Sequence, residues 1–359
     1  MTTAHLTPAT VDLDDIRRHV DATLDSYLDR LDHSSAHGEL RPLTKVLRDF
    51  LHAGGKRLRP LLCVVGWHAA GGVGSRRAVL HLAAALELLH ASVLIHDDII
   101  DDAASRRGHP TAHLALASQR LGAEPEAAAR FGASAALLLG DLALVWADQL
   151  LRAVPLTARE AGAVVPVWDA VRGDVLTGQY LDLLATGSPR ADVDSALAIS
   201  RYKTAHYTVE RPLQAGAALA GATPGLLSAC SAFALPLGEA FQLRDDLLGV
   251  FGDPRDTGKS ADGDLREGKH TPLIALTLQR ARPNQLAALH AHLGNPALSG
   301  RDAAAVREIV VATGARDTVE EMITDRYREA LSALDAAGFT AEGAHALRAL
   351  ADSAVWRSS

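Results

Sequence analysis

Apolar residues recur at three- and four-residue steps along most of the chain, and this spacing predicts α-helices. The clearest apolar stripe lies in residues 76–102 and comprises Val79, Leu82, Leu86, His90, Val93, Asp97 and Asp101. Residues 156–184 and 224–251 follow a similar helical pattern. We find no alternation of apolar and polar residues between hairpin turns, as a half-buried strand would show. The pattern predicts an all-α protein, a single large helical bundle with long central helices.

Breaks rich in glycine or proline separate the helical stretches, at residues 53–55, 71–74, 107–110, 187–189, 221–224 and 252–272. The last break is about twenty residues long, and a loop of that length inside a compact domain is usually functional. We therefore expect residues 252–272 to form a loop that closes over a site. For the domain organisation, we predict a loose N-terminal tail over residues 1–20 and one helical domain over residues 21–359.

Composition and charge narrow the function classes. Hydrophobic residues make up 48% of the 359 residues, enough for a sizeable core, and the net charge of −7 argues against nucleic-acid binding through a basic surface. Two cysteines, Cys63 and Cys230, exclude a disulfide framework and are typical of a reducing cytoplasm. The first fifteen residues lack the features of a signal peptide, and Asp141 interrupts the apolar run of residues 133–146. We expect a cytoplasmic protein with no transmembrane segment.

Four aspartates follow the apolar stripe of residues 76–102, at positions 97, 98, 101 and 102. On a helix, like charges one turn apart repel by about 0.2–0.5 kcal/mol per pair. A solvated acidic helix end is one interpretation. The stripe favours another, because Asp97 and Asp101 continue the apolar face and so point inward, where carboxylates need a compensating charge. A hard divalent cation with oxygen ligands is the natural partner.

A second acidic pair, Asp245 and Asp246, also lies inside an apolar helical stretch. Its own alternative, an ordinary surface pair beside Arg244, stays open. Position 249, one turn after Asp245, is glycine, so this cluster is thinner, although Asp253 could add a carboxylate if the chain folds back. Mg²⁺ usually takes one or two carboxylates and completes its shell with water and substrate phosphates. Two such helices facing each other predict a phosphorylated substrate with cations around it.

Basic residues supply the matching charge. They follow a glycine pair at 54–55, follow the first acidic cluster at 106–107, and recur at or near later breaks as Lys203, Lys259 and Lys269. Arginine binds phosphate through two parallel hydrogen bonds, and lysine acts as a point charge. Each of these side chains taken alone could be an ordinary surface cation.

In this order, the motifs resemble those of the trans-isoprenyl diphosphate synthases, or polyprenyl synthetases, from about residue 51 to 272. The motifs are Gly-Gly-Lys-Arg-Leu-Arg-Pro at 54–60, Glu-Leu-Leu-His at 87–90, the aspartates of 97–101, Arg-Arg-Gly at 106–108, Gly-Gln at 178–179 with Asp182, Lys203-Thr204, Phe-Gln-Leu-Arg-Asp-Asp at 241–246, Thr-Gly-Lys at 257–259 and Arg-Glu-Gly-Lys at 266–269. The resemblance implies the isoprenoid-synthase bundle with a central cavity, and a homodimer. Gly249 and His270 depart from the family pattern.

The resemblance implies a head-to-tail condensation, in which an allylic diphosphate loses diphosphate and isopentenyl diphosphate attacks the carbocation. It assigns a cluster of three Mg²⁺ ions to Asp97, Asp98, Asp101 and Asp245. It assigns substrate binding to Lys56, Arg57, His90, Arg106, Arg107, Lys259 and Lys269. It assigns catalysis to Lys203, Thr204 and Gln242 as well as to the metal ligands, and a supporting role behind them to Gln179, Asp182 and Asp246.

Product length depends on the helix before Asp97. Family members with short products carry bulky aromatic residues four and five positions before the first aspartate, where this chain has Val93 and Ser92, with Leu89 one turn earlier. Since no aromatic side chain narrows this path, we expect a product longer than farnesyl, most simply geranylgeranyl diphosphate (C20). A farnesyl product or a longer polyprenyl product remains an alternative.

Other functions fit parts of the pattern. A class I terpene cyclase shares the fold and first motif, but Asp245-Asp246 and residues 54–59 argue against it. A di-iron bundle would use Glu87-x-x-His90, although its counterpart Glu267 to His270 contains a glycine. A P-loop that ends at residues 258–260 would require a glycine at position 253, where this chain has an aspartate. A noncatalytic subunit would be revealed by the absence of turnover.

Overall fold

The computed structural model describes residues 11–34, 38–187, 189–253 and 262–356, which are almost entirely helical. The α-helices are α1 (Leu13–Ser34), α2 (Arg41–His52), α3 (Leu58–Ala69), α4 (Arg76–Ile100), α5 (Ala112–Ala117), α6 (Pro125–Arg152), α7 (Ala158–Ala185), α8 (Val193–Ser200), α9 (Arg211–Leu219), α10 (Pro224–Phe251), α11 (Gly263–Glu267), α12 (Pro272–Arg280), α13 (Pro283–His292), α14 (Gly300–Ala312), α15 (Ala315–Ala336) and α16 (Ala341–Val355). A 3₁₀ turn spans Gly38–Leu40, and β1 (Ser105–Arg106) pairs antiparallel with β2 (His109–Pro110). The predicted all-α fold is confirmed.

Helix α4 lies at the centre of the bundle. Its sequence is apolar on all sides, and 83% of its most hydrophobic window is buried against α1, α3 and α6. Helix α10 packs along α15 on another side of the core. The first acidic cluster lies at the C-terminal end of α4 and the second lies in the last two turns of α10. The central helix α4 and the helix α10, which packs along α15, therefore carry the two acidic motifs.

The N-terminal tail is shorter than predicted, because α1 begins at Leu13 rather than after residue 20. Ile16, Val20 and Leu24 follow each other at helical spacing and are all at most 3% exposed. This apolar face packs against α3 and α4, which stabilises a helix through residues assigned to the tail. Residues 1–10 lie outside the described part of the chain.

A ten-residue π-helix, Arg201–Glu210, joins α8 to α9 without a break. Such wide turns are rare and often occur at functional sites. Here the π-helix lies close against α7, since a Cβ on Gly178 would come within 2.6 Å of the Cα of Lys203. The missing side chain at Gly178 thus lets α7 approach the segment that carries Lys203 and Thr204.

Part of the predicted closing loop is helical. Helix α11 (Gly263–Glu267) lies inside residues 252–272, while residues 254–261, including the predicted substrate ligand Lys259, lie outside the described residues. The closing function of this segment stays a prediction.

By length and composition, the helices α4, α6 and α10 are each able to cross a membrane. The buried share of their most hydrophobic windows is 83% in α4, 50% in α10 and 28% in α6. The expected absence of a transmembrane segment stays a prediction.

Candidate active site

The first acidic cluster is organised around Asp97. Its Oδ1 accepts a hydrogen bond of 2.6 Å from Gln179 Nε2 on α7 and lies 3.4 Å from Lys203 Nζ. Burial acts to raise the pKa of Asp97, but the charges of Lys203, Lys269 and Arg106 outweigh it and lower that pKa. Asp97 is therefore ionised at neutral pH, and its carboxylate is held from two other elements.

Asp98 and Arg106 form a buried ion pair beside Asp97. Asp98 is fully buried, and its Oδ1 accepts from Arg106 Nε at 2.7 Å, while Arg106 Nη2 also lies 3.4 Å from Asp97. The second carboxylate oxygen of Asp98 is buried with no hydrogen-bond partner, and burial raises the pKa of this residue. The predicted roles of Asp98 in metal binding and of Arg106 in substrate binding stay predictions; the structure shows that the two side chains hold each other.

The second acidic cluster is connected to the π-helix. Thr204 Oγ1 donates to Gln242 Oε1, and Gln242 Nε2 donates to Asp246 Oδ1 at 2.7 Å. Asp246 is 4% exposed, and its Oδ2 has no hydrogen-bond partner. Burial raises the pKa of Asp246 well above its usual range, and the charges of Asp264 and Asp245 add to this effect. The half-buried Asp245 precedes it on α10.

Two lysines join the acidic groups into one site. Lys203 Nζ contacts Asp182 at 2.5 Å as well as Asp97. Lys269 Nζ lies 3.8 Å from Asp101, the residue that follows α4, and 3.7 Å from Asp264, whose carboxylate rests against Gly249 on α10. Burial disfavours both charged lysines, but the surrounding carboxylates raise the pKa of each above its usual value. The ends of α4 and α10 thus face a common site, as predicted from the two acidic motifs.

A cationic group lies beside this site. Arg59 stacks on the Tyr207 ring, with its Cζ 4.3 Å from the ring centroid, and its Nη2 donates to Thr208 Oγ1 at 2.6 Å. His90 Nδ1 lies 3.2 Å from the Tyr207 hydroxyl. Burial and then the charges of Arg59 and Arg107 lower the pKa of His90 well below its usual range. A neutral imidazole among arginines provides hydrogen bonds in a strongly positive environment, which suits an anion.

Glycines form the floor of this cationic group. The guanidinium of Arg107 donates to the carbonyl oxygen of Gly54. A Cβ on Gly55 would come within 2.9 Å of Nη1 of the same guanidinium. The exposed Lys56 follows directly in the chain. The glycine pair noted in the sequence therefore lets the chain pass close to Arg107.

Arg57 is a correction to the sequence analysis. Its three guanidinium nitrogens donate to Asp21 at 2.8 Å, to Glu87 at 2.8 Å and to the Leu51 carbonyl at 2.6 Å, and the residue is 7% exposed. The guanidinium is thus occupied inside the protein and is not available to a substrate. Arg59, two residues further along the same motif, lies beside His90, since both side chains contact Tyr207. The start of α3 at Leu58 separates the two arginines, and no sequence signal fixed that boundary.

The donor set fits a magnesium ion bound together with a phosphorylated ligand. Among the described residues, no group of three or more Asp, Glu, His or Cys side chains is arranged to hold a metal ion by itself. Magnesium needs only one or two carboxylates when substrate oxygens and water complete its octahedron. Asp97, Asp101 and Asp245 provide oxygen donors from two helices.

The residues predicted to set product length lie on α4 before Asp97. Leu89 and Ser92 are 2% and 3% exposed, and Val93 is half-buried against the core. Small and aliphatic side chains therefore line this part of the helix.

The structure also bears on the di-iron alternative. Glu87 pairs with Arg57 at 2.8 Å, and Glu267 pairs with Lys269 at 3.0 Å. His270 accepts from the backbone nitrogen of Arg190. These two Glu–His pairs are engaged in separate contacts, which argues against a shared iron site.

Comparison with known proteins shows which family the chain belongs to. The polyprenyl synthetase family profile matches residues 41–310. Geranylfarnesyl diphosphate synthase from Aeropyrum pernix is 32% identical over 313 residues, covering 86% of this chain and 92% of the relative. The solved geranylgeranyl pyrophosphate synthase from Corynebacterium glutamicum, complexed with isoprenyl diphosphate and magnesium, is 40% identical with a TM-score of 0.91, covering 96% of this chain and 99% of that one. Polyprenyl synthase from Caulobacter crescentus, complexed with calcium and isoprenyl diphosphate, is 28% identical with a TM-score of 0.78, covering 98% and 100%. The chain therefore belongs to the polyprenyl synthetase family.

Proposed function

We propose that this protein condenses isopentenyl diphosphate with an allylic diphosphate in a head-to-tail reaction. The observation that carries the proposal is that two groups of charged side chains of different kinds lie near each other, since Arg106 of the first group acts on the charge of His90 in the second. One is the acidic site of α4 and α10 with Lys203 and Lys269, which suits a diphosphate bound through divalent cations. The other is the group of Arg59, His90 and Arg107, which suits a diphosphate bound directly.

The side chains support the steps of such a reaction. Lys203, which contacts Asp97 and Asp182, would bind the allylic diphosphate as its carbon–oxygen bond breaks. The dipoles of Thr204 and Gln242, which are joined by a hydrogen bond, would stabilise the positive carbon. The double bond of isopentenyl diphosphate forms the new carbon–carbon bond, and the released diphosphate accepts the proton that is lost.

Magnesium would be held by Asp97, Asp101 and Asp245, and it would neutralise the negative charge that develops on the leaving diphosphate. A cluster of three ions is part of the proposal. It is supported by the oxygen donors on both helices and by the magnesium and the calcium named in the two related structures.

The decisive experiment incubates the full-length protein with isopentenyl diphosphate, Mg²⁺ and each of the allylic diphosphates in turn, and identifies the products by chromatography. We expect longer allylic diphosphates and no product without isopentenyl diphosphate. A cyclic hydrocarbon formed from the allylic diphosphate alone would establish a terpene cyclase instead. The absence of turnover with every primer would favour a noncatalytic subunit.

For the product, we propose geranylgeranyl diphosphate. Ser92 and Val93 leave the helix before Asp97 without an aromatic obstruction. The products named for relatives differ, geranylgeranyl in some and geranylfarnesyl in another, so this part of the proposal depends on the residues of α4.

The Ser92→Phe protein is expected to make mainly farnesyl or shorter diphosphates, because the phenyl ring would fill space next to the growing chain. Product chain length measured by mass spectrometry checks this prediction. Ser92→Ala is the matched control, since it removes the hydroxyl without adding bulk, and it is expected to retain the wild-type product. An unchanged product in Ser92→Phe would show that the chain grows elsewhere.

Magnesium-dependent binding of inorganic diphosphate is expected to weaken as the pH falls through about 6. Burial, and then the charge of Asp97, raise the pKa of Asp101 to about 6. A ligand carboxylate must be ionised, so affinity should fall by about tenfold per pH unit below that value. Titration calorimetry at several pH values measures this, and Asp101→Asn should bind more weakly with a flatter pH profile. A wild-type affinity independent of pH over this range would contradict the prediction.

We also propose a homodimer that forms through α6. Leu137, Leu138 and Val145 share one face of this helix and are 49–57% exposed. A second copy would bury this apolar face. Light scattering should give twice the chain mass, and Leu138→Glu should give a folded monomer.

A cytoplasmic location is supported by two buried cysteines with free thiols, Cys63 and Cys230.

A further inference from the structure

A cavity of about 390 Å³ lies between α2, α5 and the β1–β2 hairpin, and we name it the α2–α5 cavity. Small-molecule sites in proteins are commonly of this size. Among the residues that the structure describes, its lining includes Arg107 but neither Arg59 nor His90, the other two members of the cationic group. The cavity is therefore a separate space, which adjoins the cationic group at one shared guanidinium.

The α2–α5 cavity has walls of two kinds. Its apolar wall includes Val46 and Phe50 on α2 and Ala115 on α5. Phe50 is only half-buried, so its aromatic ring keeps part of its surface for contact with an occupant. The basic wall includes Arg107 and His109, both from the hairpin. One small molecule with a hydrocarbon part and an anionic part therefore matches both walls.

The hairpin holds Arg107 between the cavity and the cationic group. Arg106 and His109 are partners across the hairpin, and the two residues between them, Arg107 and Gly108, have φ values of 53° and 76°. A two-residue turn with positive φ normally has asparagine or aspartate first, because this backbone conformation is unfavourable for a long side chain. Such strain is often found at functional sites. Here the turn places one guanidinium where it lines the cavity and also acts on the charge of His90.

Positive charge is in excess at the basic wall. Arg107 donates to the neutral carbonyl oxygen of Gly54. Burial lowers the pKa of Arg107, and the charges of neighbouring arginines act in the same direction, against the charge of Glu87. Among the described residues of the lining, the one carboxylate is Asp49, and Lys45 Nζ contacts it at 2.6 Å. An anion at the basic wall would therefore be stabilised by the crowded arginines.

We propose that the α2–α5 cavity is a regulatory site for a small amphipathic anion, which places its hydrocarbon part on the apolar wall and its anionic group on the basic wall. An occupant that binds Arg107 competes with the cationic group for the same guanidinium, so it weakens the binding of isopentenyl diphosphate. The kinetic part of this inference rests on the proposed function, whereas the binding part rests on the cavity alone.

The test uses octyl phosphate, which has a saturated chain and cannot take part in the condensation. Titration calorimetry with the full-length protein is expected to show binding of octyl phosphate. Inorganic phosphate and octanol, each of which contacts only one wall, are expected to bind at least about tenfold more weakly. In the condensation assay, octyl phosphate should raise the KM for isopentenyl diphosphate and leave kcat unchanged. Octanoate is the second probe, and the tighter of the two identifies the anionic group that the basic wall prefers.

A cavity-filling variant separates this site from the active site. Ala115→Leu enlarges the apolar wall into the cavity, and it is expected to keep wild-type turnover without the probe but to bind octyl phosphate about tenfold more weakly. The KM for isopentenyl diphosphate should then no longer rise at the same probe concentration. Ala129→Leu is the matched control, because it makes the same change at an exposed position of α6 and should behave as the wild type.

A second variant, Phe50→Gln, removes apolar contact from the cavity without adding volume, and it is expected to weaken the binding of octyl phosphate in the same way. Thermal unfolding shows whether each variant is folded, and Phe50→Gln decides the question if Ala115→Leu is not.

Two results would overturn the inference. One is the absence of octyl phosphate binding to the wild-type protein. The other is an effect of octyl phosphate that is as large in folded Ala115→Leu or Phe50→Gln as in the wild type, because the probe would then act in the active site alone. In both cases condensation activity without the probe would leave the proposed function intact. Binding that Ala115→Leu weakens, in a protein without turnover, would instead confirm the cavity as a binding site and refute the proposed function.

Discussion

The Asp97→Asn protein is expected to lose about a thousandfold in kcat while remaining folded, the upper range for removing one electrostatic contact to a developing charge. Asp97 is the point where α4, α7 and the π-helix meet, through its contacts with Gln179 and Lys203. Asparagine has nearly the same shape, so the hydrogen bond can persist. In the proposed mechanism, the lost negative charge is the one that would hold a cation at the leaving diphosphate.

Asp102→Asn is the matched control for Asp97→Asn. It makes the same chemical change in the same segment, but Asp102 is exposed, and its backbone has a φ of 48°, which asparagine readily adopts. We expect its kcat to equal that of the wild-type protein under saturating substrates and Mg²⁺. Equal activities of Asp97→Asn and wild type would remove the first acidic motif from the mechanism.

Replacing Arg57 by Met is expected to lower the free energy of unfolding by about 3–5 kcal/mol, the cost of leaving one partner of a buried ion pair alone. Glu87 is 4% exposed, and it accepts from Arg57 Nη1 at 2.8 Å. Without the guanidinium, its carboxylate is buried inside the bundle without that compensation. Urea denaturation followed by circular dichroism measures the change.

Two further variants separate stability from substrate binding. Changing Glu87 to Leu in the Arg57→Met protein should restore part of the stability, because it removes the buried charge. Arg59→Met should instead raise the KM for isopentenyl diphosphate with little change in kcat. A variant at Arg57 that unfolds like the wild type, but binds isopentenyl diphosphate poorly, would reverse the assignment of the two arginines.

Hydrophobic periodicity was sufficient to predict the helices and the inward direction of the acidic stripe on α4. The aspartates at the end of this helix occur at the same three- and four-residue spacing as its apolar residues, so the sequence itself indicates that they lie on the buried face. The order of the motifs along the chain is sufficient to indicate the family. The roles assigned to Asp97 and Lys203 in one reaction followed from that resemblance and not from any pattern of spacing, and their contact is seen only in the structure.

Other features depend on packing between helices and cannot be predicted from the local sequence. The π-helix at Arg201–Glu210 has an ordinary helical composition, and only its approach to Gly178 shows why the wide turn is accommodated. The early start of α1 depends on the surface that α3 and α4 offer to Ile16 and Val20. The contact between Gly249 and Asp264 joins residues on two different helices. The sequence alone therefore identifies Gly249 only as a departure from the family pattern.

The two lysines that lie among the aspartates compensate part of the negative charge of the site. Lys203 and Lys269 serve as built-in counter-ions, so the carboxylates are desolvated and compensated when the chain folds. In the proposed reaction, divalent cations bound to a diphosphate would take over these carboxylates, and the two ammonium groups would turn to the phosphate oxygens. Such an exchange would conserve the number of ion pairs and would need only rotations of two flexible side chains.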